Sequence, residues 1–446
     1  MPGIVGIFEP GRREQVRGML DRIAHRGGAG SAILELEGAT LGVVWPSACA
    51  EASVRLAAGV QDHVDSGHFA QAQLVDGHPL LRRDPLGVAS LYYGRLESGA
   101  LGFASEVKGL LPVTRDVNEL PPGHRYDGDT LECYFRLRPQ PWLQDSPERV
   151  AQELHRRLTA SVERCAEGRA VAAWLSGGVD SSTIAALARP YVKTLHTFAA
   201  GFPGAADLTY AREVADFIGS EHHEVLLDFD QALALLPEVI FHLESFDAWL
   251  VRSSVMNYVA ARAASDHVSA VLSGEGGDEL FAGYEYLRSI DLQSLEDELM
   301  DITARLHNTA LQRVDRCAAA HGTVAHVCFL APEVVDYALR IPVELKLRDG
   351  VGKWILRRAI EGMLPERVLH RGKAKFWEGA GIGNRLAAHA EDRISDADFA
   401  AERTLSNGWQ LNTKEELMYY RLFKEAFGPP NDLSWMGRTK DTPRAV

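Results

Sequence analysis

The sequence predicts a mixed α/β and α+β protein of two units, an antiparallel β-rich sandwich followed by a doubly wound parallel sheet with a helical extension. Three observations carry this. Up to about Arg138 the chain is a series of short apolar runs split by Gly and Pro, among them GIVGIF, ATLGVVW, VASLYYG and ALGFAS. That is the pattern of antiparallel strands joined by tight turns. From Arg169 onward strand-like and helix-like segments alternate, which implies a parallel sheet covered on both faces. A length of 446 residues also exceeds one ordinary core. The division is expected at 1–140 and 141–446.

The elements of the second unit follow in order. RPQPWLQDSPERV is the linker, and Pro147 opens a helix whose buried face is Val150, Leu154, Leu158 and Val162. RAVAAWL reads as a buried strand, SGG as a loop and DSSTIAALA as a helix. KTLHTFAAGF, DLTYAREVADFIG and HHEVLL read as strand, helix and strand. A long helical stretch leads to the strand SAVLSG, and after Tyr284 the chain is mainly helical.

Composition narrows the partners. The formal net charge of −14 argues against nucleic acid, whose phosphates require clustered Lys and Arg. The five cysteines are widely spaced and form no C-x-x-C pair, so neither a zinc site nor a disulfide framework is expected. Reduced thiols, no signal peptide and no run long enough to span a bilayer make a cytoplasmic protein the expectation.

The chemistry concentrates in two loops. Ser176, Gly177, Gly178, Val179, Asp180, Ser181 and Ser182 lie between a buried strand and a helix. The first N–H groups of a helix lack intrahelical partners and its dipole is positive there, which suits phosphate. Glycines permit close approach and the serine hydroxyls add donors. Asp180 would repel phosphate unless a cation stood between them, so Mg2+ is expected. The spacing is not that of a Walker loop. The second loop, LSGEGGDELFAGYEY, sets Glu275, Asp278 and Glu279 among glycines. Asp278 is suited to hold Mg2+ opposite Asp180, and Glu275 to orient a nucleophile.

SGGVDSS resembles the pyrophosphate loop of N-type ATP pyrophosphatases. With the second loop, TFAAGFPGAADLTYAREVADFIGSEHHEV, LQRVDRCAAAHG and KWILRRAIEGMLPERVLHRGKAKF, the chain is similar to the asparagine synthetase family, which includes β-lactam synthetases. The resemblance implies ATP and Mg2+ as cofactors and an acyl-adenylate intermediate. Leu175 and Ala200 then line the adenine pocket, and Ser273 and Gly274 add ATP contacts. Asp180 and Asp278 are the Mg2+–pyrophosphate ligands. Arg252 stands near ATP, Lys373 offsets the oxyanion formed on amine attack, and Lys353 is a second active-site lysine. A homodimer is implied by analogy alone.

The front unit resembles the N-terminal-nucleophile (Ntn) glutaminase domain of the same family, through GIVGIF, His25–Arg26–Gly27, RDPLGVASLYYG and FASEVKGLLP. Glutamine-using members carry a nucleophilic cysteine immediately before the first of these strings. Here that residue is Pro2, which has no side-chain nucleophile. A glutamine-binding string of the N-G-E-I-Y-N kind is also missing, and QAQLVDGHPLL runs directly into RRDPLG. An inactive glutaminase-like scaffold is expected; a proline amine acting as base is the weaker alternative.

In the second unit AHVCFLA, with His326, Cys328 and Ala331, replaces the family's A-R-V-P-F-L-D, which puts aspartate as substrate in doubt. Glu275 stands as in asparagine synthetases, where β-lactam synthetases have tyrosine. The leading expectation is an AMP-forming amide synthetase that joins a small-molecule carboxylate to ammonia or an amine without glutamine. Alternatives are intramolecular, β-lactam-type closure in specialised metabolism, tRNA-base activation, and a non-catalytic binding protein.

Overall fold

Residues 1–64, 67–373, 376–429 and 431–440 are described by the computed structural model. The front half is built on β1 (Gly3–Ile7), β2 (Gly30–Leu36), β3 (Ala39–Trp45), β4 (Arg55–Leu56), β5 (Gly59–Val64) and β6 (His68–Val75). It continues with β7 (His78–Arg83), β8 (Tyr92–Arg95), β9 (Leu101–Ala104), β10 (Asn118–Glu119), β11 (His124–Tyr126) and β12 (Leu131–Cys133). These make two antiparallel sheets, ordered β10-β8-β9-β1-β3-β2 and β12-β11-β7-β6-β5-β4. β1 is buried at every position because it lies between β9 and β3. In α1 (Arg13–Arg22), Val16, Met19 and Leu20 form the buried stripe.

One hairpin here bears on function. QAQLVDGHPLLRR folds as β6 and β7 joined by a two-residue turn, with Val75 opposite His78. Asp76 and Gly77 both have positive φ, 53° and 79°, as a type I′ turn requires. The segment therefore contains no loop beyond the turn.

Residues 134–146 have no regular secondary structure. The Ser146 side chain then caps α2 (Pro147–Ala166) by accepting from the Arg149 N–H, and Val150, Leu154, Leu158 and Val162 are all buried as their spacing requires. The parallel sheet follows: β13 (Val171–Trp174), α3 (Val179–Ala188), β14 (His196–Gly201), α4 (Ala206–Ile218) and β15 (Glu221–Leu226). After α5 (Phe229–Leu243) and α6 (Ala248–Ser265) come β16 (Ala270–Ser273), α7 (Ala310–Ala319) and β17 (Val324–Val327). The order is β15-β14-β13-β16-β17, parallel throughout. It reverses between β13 and β16, and open sheets of this kind bind ligands at the carboxyl ends of strands at such a point.

The structure corrects the expected elements in two places. The long helical stretch before β16 is two helices, parted where the Asp247 side chain caps α6. The region after Tyr284 contributes the fifth strand of this sheet, β17, from the VAHV segment. Four residues are too few to show a period, and the strand is held by pairing Ala270 with Val324 and Leu272 with His326.

One continuous apolar core runs through both halves, and their seam is ionic. Arg26, Lys108 and Arg316 meet Glu106, Glu244 and Asp315, with every one of these side chains at most 3% exposed. Three positive and three negative charges balance, as a buried network requires. Asp62, at the margin of this group, is pushed up to about 7 by burial. Arg26 also donates to the Pro2 carbonyl at 3.0 Å. Helix α7 reaches both ways: Asp315 and Arg316 into the seam, Arg313 toward the sheet's carboxyl ends.

Candidate active site

A cavity of ≈ 500 Å³ opens at the switch point between β13 and β16. Its walls are the residues that leave the strands: Trp174–Ser176 after β13, Phe198–Ala200 in β14, and Ser273–Glu275 after β16. Helix α3 points its N-terminus at it. Gly177 has φ +66°, and a Cβ there would stand 2.4 Å from Cβ of Tyr210. Only glycine fits that turn. Ser176 and Ser181 hydroxyls lie 3.1 Å apart, and Ser181 donates to the Gly178 carbonyl at 3.2 Å. The loop is thus pre-shaped, with α3 N–H groups directed outward.

Two carboxylates close the cavity floor. Lys353 Nζ lies 2.5 Å from Asp180 Oδ2 and 2.6 Å from Asp278 Oδ1, and Lys373 Nζ lies 2.5 Å from Asp278 Oδ2. Lys353 is 4% exposed and adopts φ +58°, a left-handed conformation uncommon for a residue with a Cβ. Its N–H is held by the Phe281 carbonyl at 2.8 Å. Such placement is characteristic of functional positions. A Cβ on Gly277 would stand 2.5 Å from Asp180 Oδ1, so the second loop seats directly on the first.

The charges divide unequally. Burial opposes ionisation of Asp278, yet Lys353 and Lys373 hold it well below the usual carboxylate range. Burial raises Asp180, and the Asp278 charge adds to that, against Lys353. Burial would lower Lys373, but Asp278 and Asp180 overcome it and raise the ammonium. Behind them Glu279 is pushed up to about 8 by burial and then by Asp278 and Glu275; it accepts a hydrogen bond from the Tyr284 hydroxyl at 2.5 Å. Burial and the Glu279 charge raise that phenol too.

This pairing of a serine–glycine phosphate loop with opposed aspartates and bridging lysines coincides with the region matched by the family model described as Asparagine synthase, residues 153–301 and 291–440. The chain belongs to the asparagine synthase family. It is similar to asparagine synthetase 2 (glutamine-hydrolyzing) of Lotus japonicus, 33% identical over 384 residues, covering 80% of this chain and 65% of that protein. It is 33% identical to the probable asparagine synthetase (glutamine-hydrolyzing) of Schizosaccharomyces pombe, covering 77% of this chain and 69% of that one. With asparagine synthetase B (glutamine-hydrolyzing) of Escherichia coli K12 it shares 32% identity, over 79% of this chain and 68% of that one. It therefore spans about two thirds of the length of these relatives.

In this family member most of the expected site residues converge. Leu175, Ser176, Gly178, Asp180, Ser181, Ala200, Ser273, Gly274, Glu275, Asp278, Lys353 and Lys373 all line the cavity. Gly177 and Ser182 lie just behind it: Gly177 forms the turn and Ser182 is fully buried. Arg252 is the expected residue that the structure sets apart from this group. It is 3% exposed, outside the cavity lining, and its guanidinium makes a two-bond pair with Glu415 on α8 (Lys414–Phe427), with Asn384 at 3.1 Å. It braces the C-terminal helix. In RGKAKF, Lys373 is described, whereas Ala374 and Lys375 lie outside the described residues.

His326, Cys328 and Ala331 are likewise buried and outside the lining. The departure from the family string is therefore a change in the packing of β17 and the turn that follows it, not in the cavity wall.

Several lining residues had no assigned role in the sequence reading. Arg313 donates to Glu275 and, at 2.7 Å, to Asn257, fixing the Glu275 carboxylate at the wall. Arg371 donates to the Ser176 carbonyl at 3.2 Å and to Asp207 at 2.5 Å, and stacks on Tyr210. Both arginines stand in strings that resemble the family, LQRVDRC and LHRGKAKF. Nothing in spacing alone separates them from solvated helix charges.

Proposed function

We propose that this chain is an ATP-dependent, AMP-forming amide synthetase that activates the carboxylate of a small amino-acid-derived acid and joins it to ammonia or an amine, without hydrolysing glutamine. We divide it into a glutaminase-like scaffold, 1–140, and a synthetase unit, 141–446. The observation that carries the reading is the opposed pair Asp180 and Asp278, bridged by Lys353 beside the α3 phosphate loop.

The residues fit a divalent cation. Among the described residues Asp180 Oδ1 is buried without a hydrogen-bond partner, and a hard oxygen donor so placed suits Mg2+. Asp180 and Asp278 would hold it, and it would neutralise charge on the pyrophosphate. Leu175 and Ala200 give an apolar seat for the adenine. Ser176, Ser181 and the α3 N–H groups bind phosphate oxygens. In the first step a substrate carboxylate oxygen bonds to the α-phosphorus as the bond to pyrophosphate breaks. In the second, nitrogen attacks the acyl carbon, the amine loses a proton and AMP departs. Lys373, paired with Asp278 in the cavity lining, offsets the oxyanion. Glu275, oriented by Arg313, sits where an amine or an amino-acid ammonium would be steered.

Two features support independence from glutamine. Pro2 precedes GIVGI and offers only its carbonyl, which is bonded to Arg26. The β6–β7 hairpin closes in two residues where a glutamine-binding loop would be needed. An aspartate-like acid stays a candidate, since the altered β17 string lies off the cavity. A screen of amino and diamino acids with ATP, Mg2+ and ammonium tests this reading. AMP and pyrophosphate released in equal amounts with one acid are expected. ADP and phosphate, or no acid-dependent release, would overturn it.

A further inference from the structure

We propose that His196, His223 and His267 form a binding site for a divalent late-transition ion, such as Zn2+, toward the amino ends of β14 and β16 and outside the nucleotide cavity. One nitrogen from each ring lies within 4.8 Å of the others. His196 Nδ1 and His223 Nε2 are already 3.0 Å apart, and the ring centroids are separated by 5.3, 4.8 and 4.6 Å. In a tetrahedral zinc site with Zn–N bonds of about 2.0–2.1 Å, neighbouring nitrogens stand about 3.4 Å apart. His267 is the exposed member of the set, so its ring is the one free to adjust toward that spacing.

The placement is built into the fold. His196 opens β14, and His223 lies on β15 opposite Phe198, so the two imidazoles share one face as diagonal neighbours. His267 comes from the turn between α6 and β16. The His223 ring is stacked on Phe198 at 4.6 Å and 11°, which fixes its plane. Two ligands thus rest on a rigid sheet and the third, exposed, leaves a path for entry. Glu221 Oε2 is 3.5 Å from His196 Nδ1 and offers an oxygen for a fourth position. Imidazole donors suit Zn2+, Ni2+ and Cu2+ and are poor ligands for Mg2+, so the site does not duplicate Asp180 and Asp278.

None of the three histidines lines the cavity, but Phe198 does. An ion here would clamp β14 and β15 to the turn that feeds β16 while touching no phosphate-loop residue.

The test uses the full chain, stripped with a chelator and kept in excess Mg2+. Titration with Zn2+ should show one ion per chain at micromolar or tighter affinity, and Co2+ should give the intense visible absorption of a four-coordinate site. H267A, an exposed change that leaves the sheet intact, should weaken Zn2+ binding at least about tenfold, and H223A likewise. H78A, at an exposed histidine outside the cluster, should leave it unchanged. Zn2+ should raise the melting temperature of the wild type and not that of H267A. Absence of saturable binding, a six-coordinate cobalt spectrum, or equal affinity in H267A and wild type would overturn the proposal.

Discussion

Lys353→Met removes the ammonium that bridges Asp180 and Asp278 and keeps the length of the side chain. In the native protein Nζ sits 2.5 Å and 2.6 Å from the two carboxylates, with side-chain exposures of 5%, 12% and 10% for Lys353, Asp180 and Asp278. At such burial solvent screens little, and taking away one partner strands charge that was desolvated on folding. The cost of that is about 3–5 kcal/mol. Lys373 still faces Asp278, which sets the lower end of the range as the better guide. The variant should therefore unfold in urea with a stability lower by about 3 kcal/mol. Mg2+ should then recover part of the loss in K353M and change the wild type much less, because a divalent cation can take the place of the missing ammonium. Unfolding curves with and without Mg2+ measure both effects. Equal stability of the two proteins, or identical Mg2+ responses, would refute the assignment of Lys353 as the counter-charge of the pair.

Other outcomes follow from the same geometry. Gly177→Ala meets both a φ of +66° and Tyr210, so ATP affinity should fall about 5- to 30-fold for a turn strained by 1–2 kcal/mol; unchanged nucleotide binding would remove Gly177 from the loop. Arg313→Ala frees Glu275 and should raise KM for the acid or amine more than it lowers adenylate formation, with Arg313→Lys intermediate; steady-state kinetics in both substrates decides. Glu279 is held at about 8 against an ordinary 4.5, so the native state keeps a proton that the unfolded chain has lost across that interval. Its stabilising contribution is full below 4.5 and is lost as pH rises through 8, with a slope of up to about 1.4 kcal/mol per pH unit. Glu279→Gln should flatten this dependence, as thermal melts over that range would record. Pro2→Cys alone should not produce glutaminase activity, because the β6–β7 turn still leaves no glutamine-binding loop; glutamate release by that variant would contradict this.

The legible parts of the sequence were those with a short-range signature. The Ser/Gly loop between an apolar strand and a helix, and the acid-rich glycine loop, both land at the cavity because strand–loop–helix order fixes them at carboxyl ends of a parallel sheet. The α2 stripe behaved likewise. What spacing could not give was long-range pairing. Arg252 pairs with Glu415, 163 residues away, and only the folded chain shows the two together. Arg313 carries no local signal for the same reason, as its role depends on Glu275 and Asn257. Strand β17 was hidden because four residues carry no period, and its recognition requires the β16 edge. The histidine cluster draws on three segments brought together only by the sheet.

The central claim is that nitrogen reaches the activated carboxylate from solution or from a substrate amine, and not from glutamine. It is tested most directly by following the label. The full chain is supplied with ATP, Mg2+ and the acid found in the screen, once with 15N-ammonium and once with amide-15N-glutamine, and the products are read by mass spectrometry. The account predicts no label in product and no glutamate from the glutamine arm. With an ammonia-using acid the ammonium arm gives labelled amide; with a substrate that carries its own amine, product forms by loss of water and takes up no label. Labelled amide formed from glutamine, with glutamate in equal amount, would contradict it.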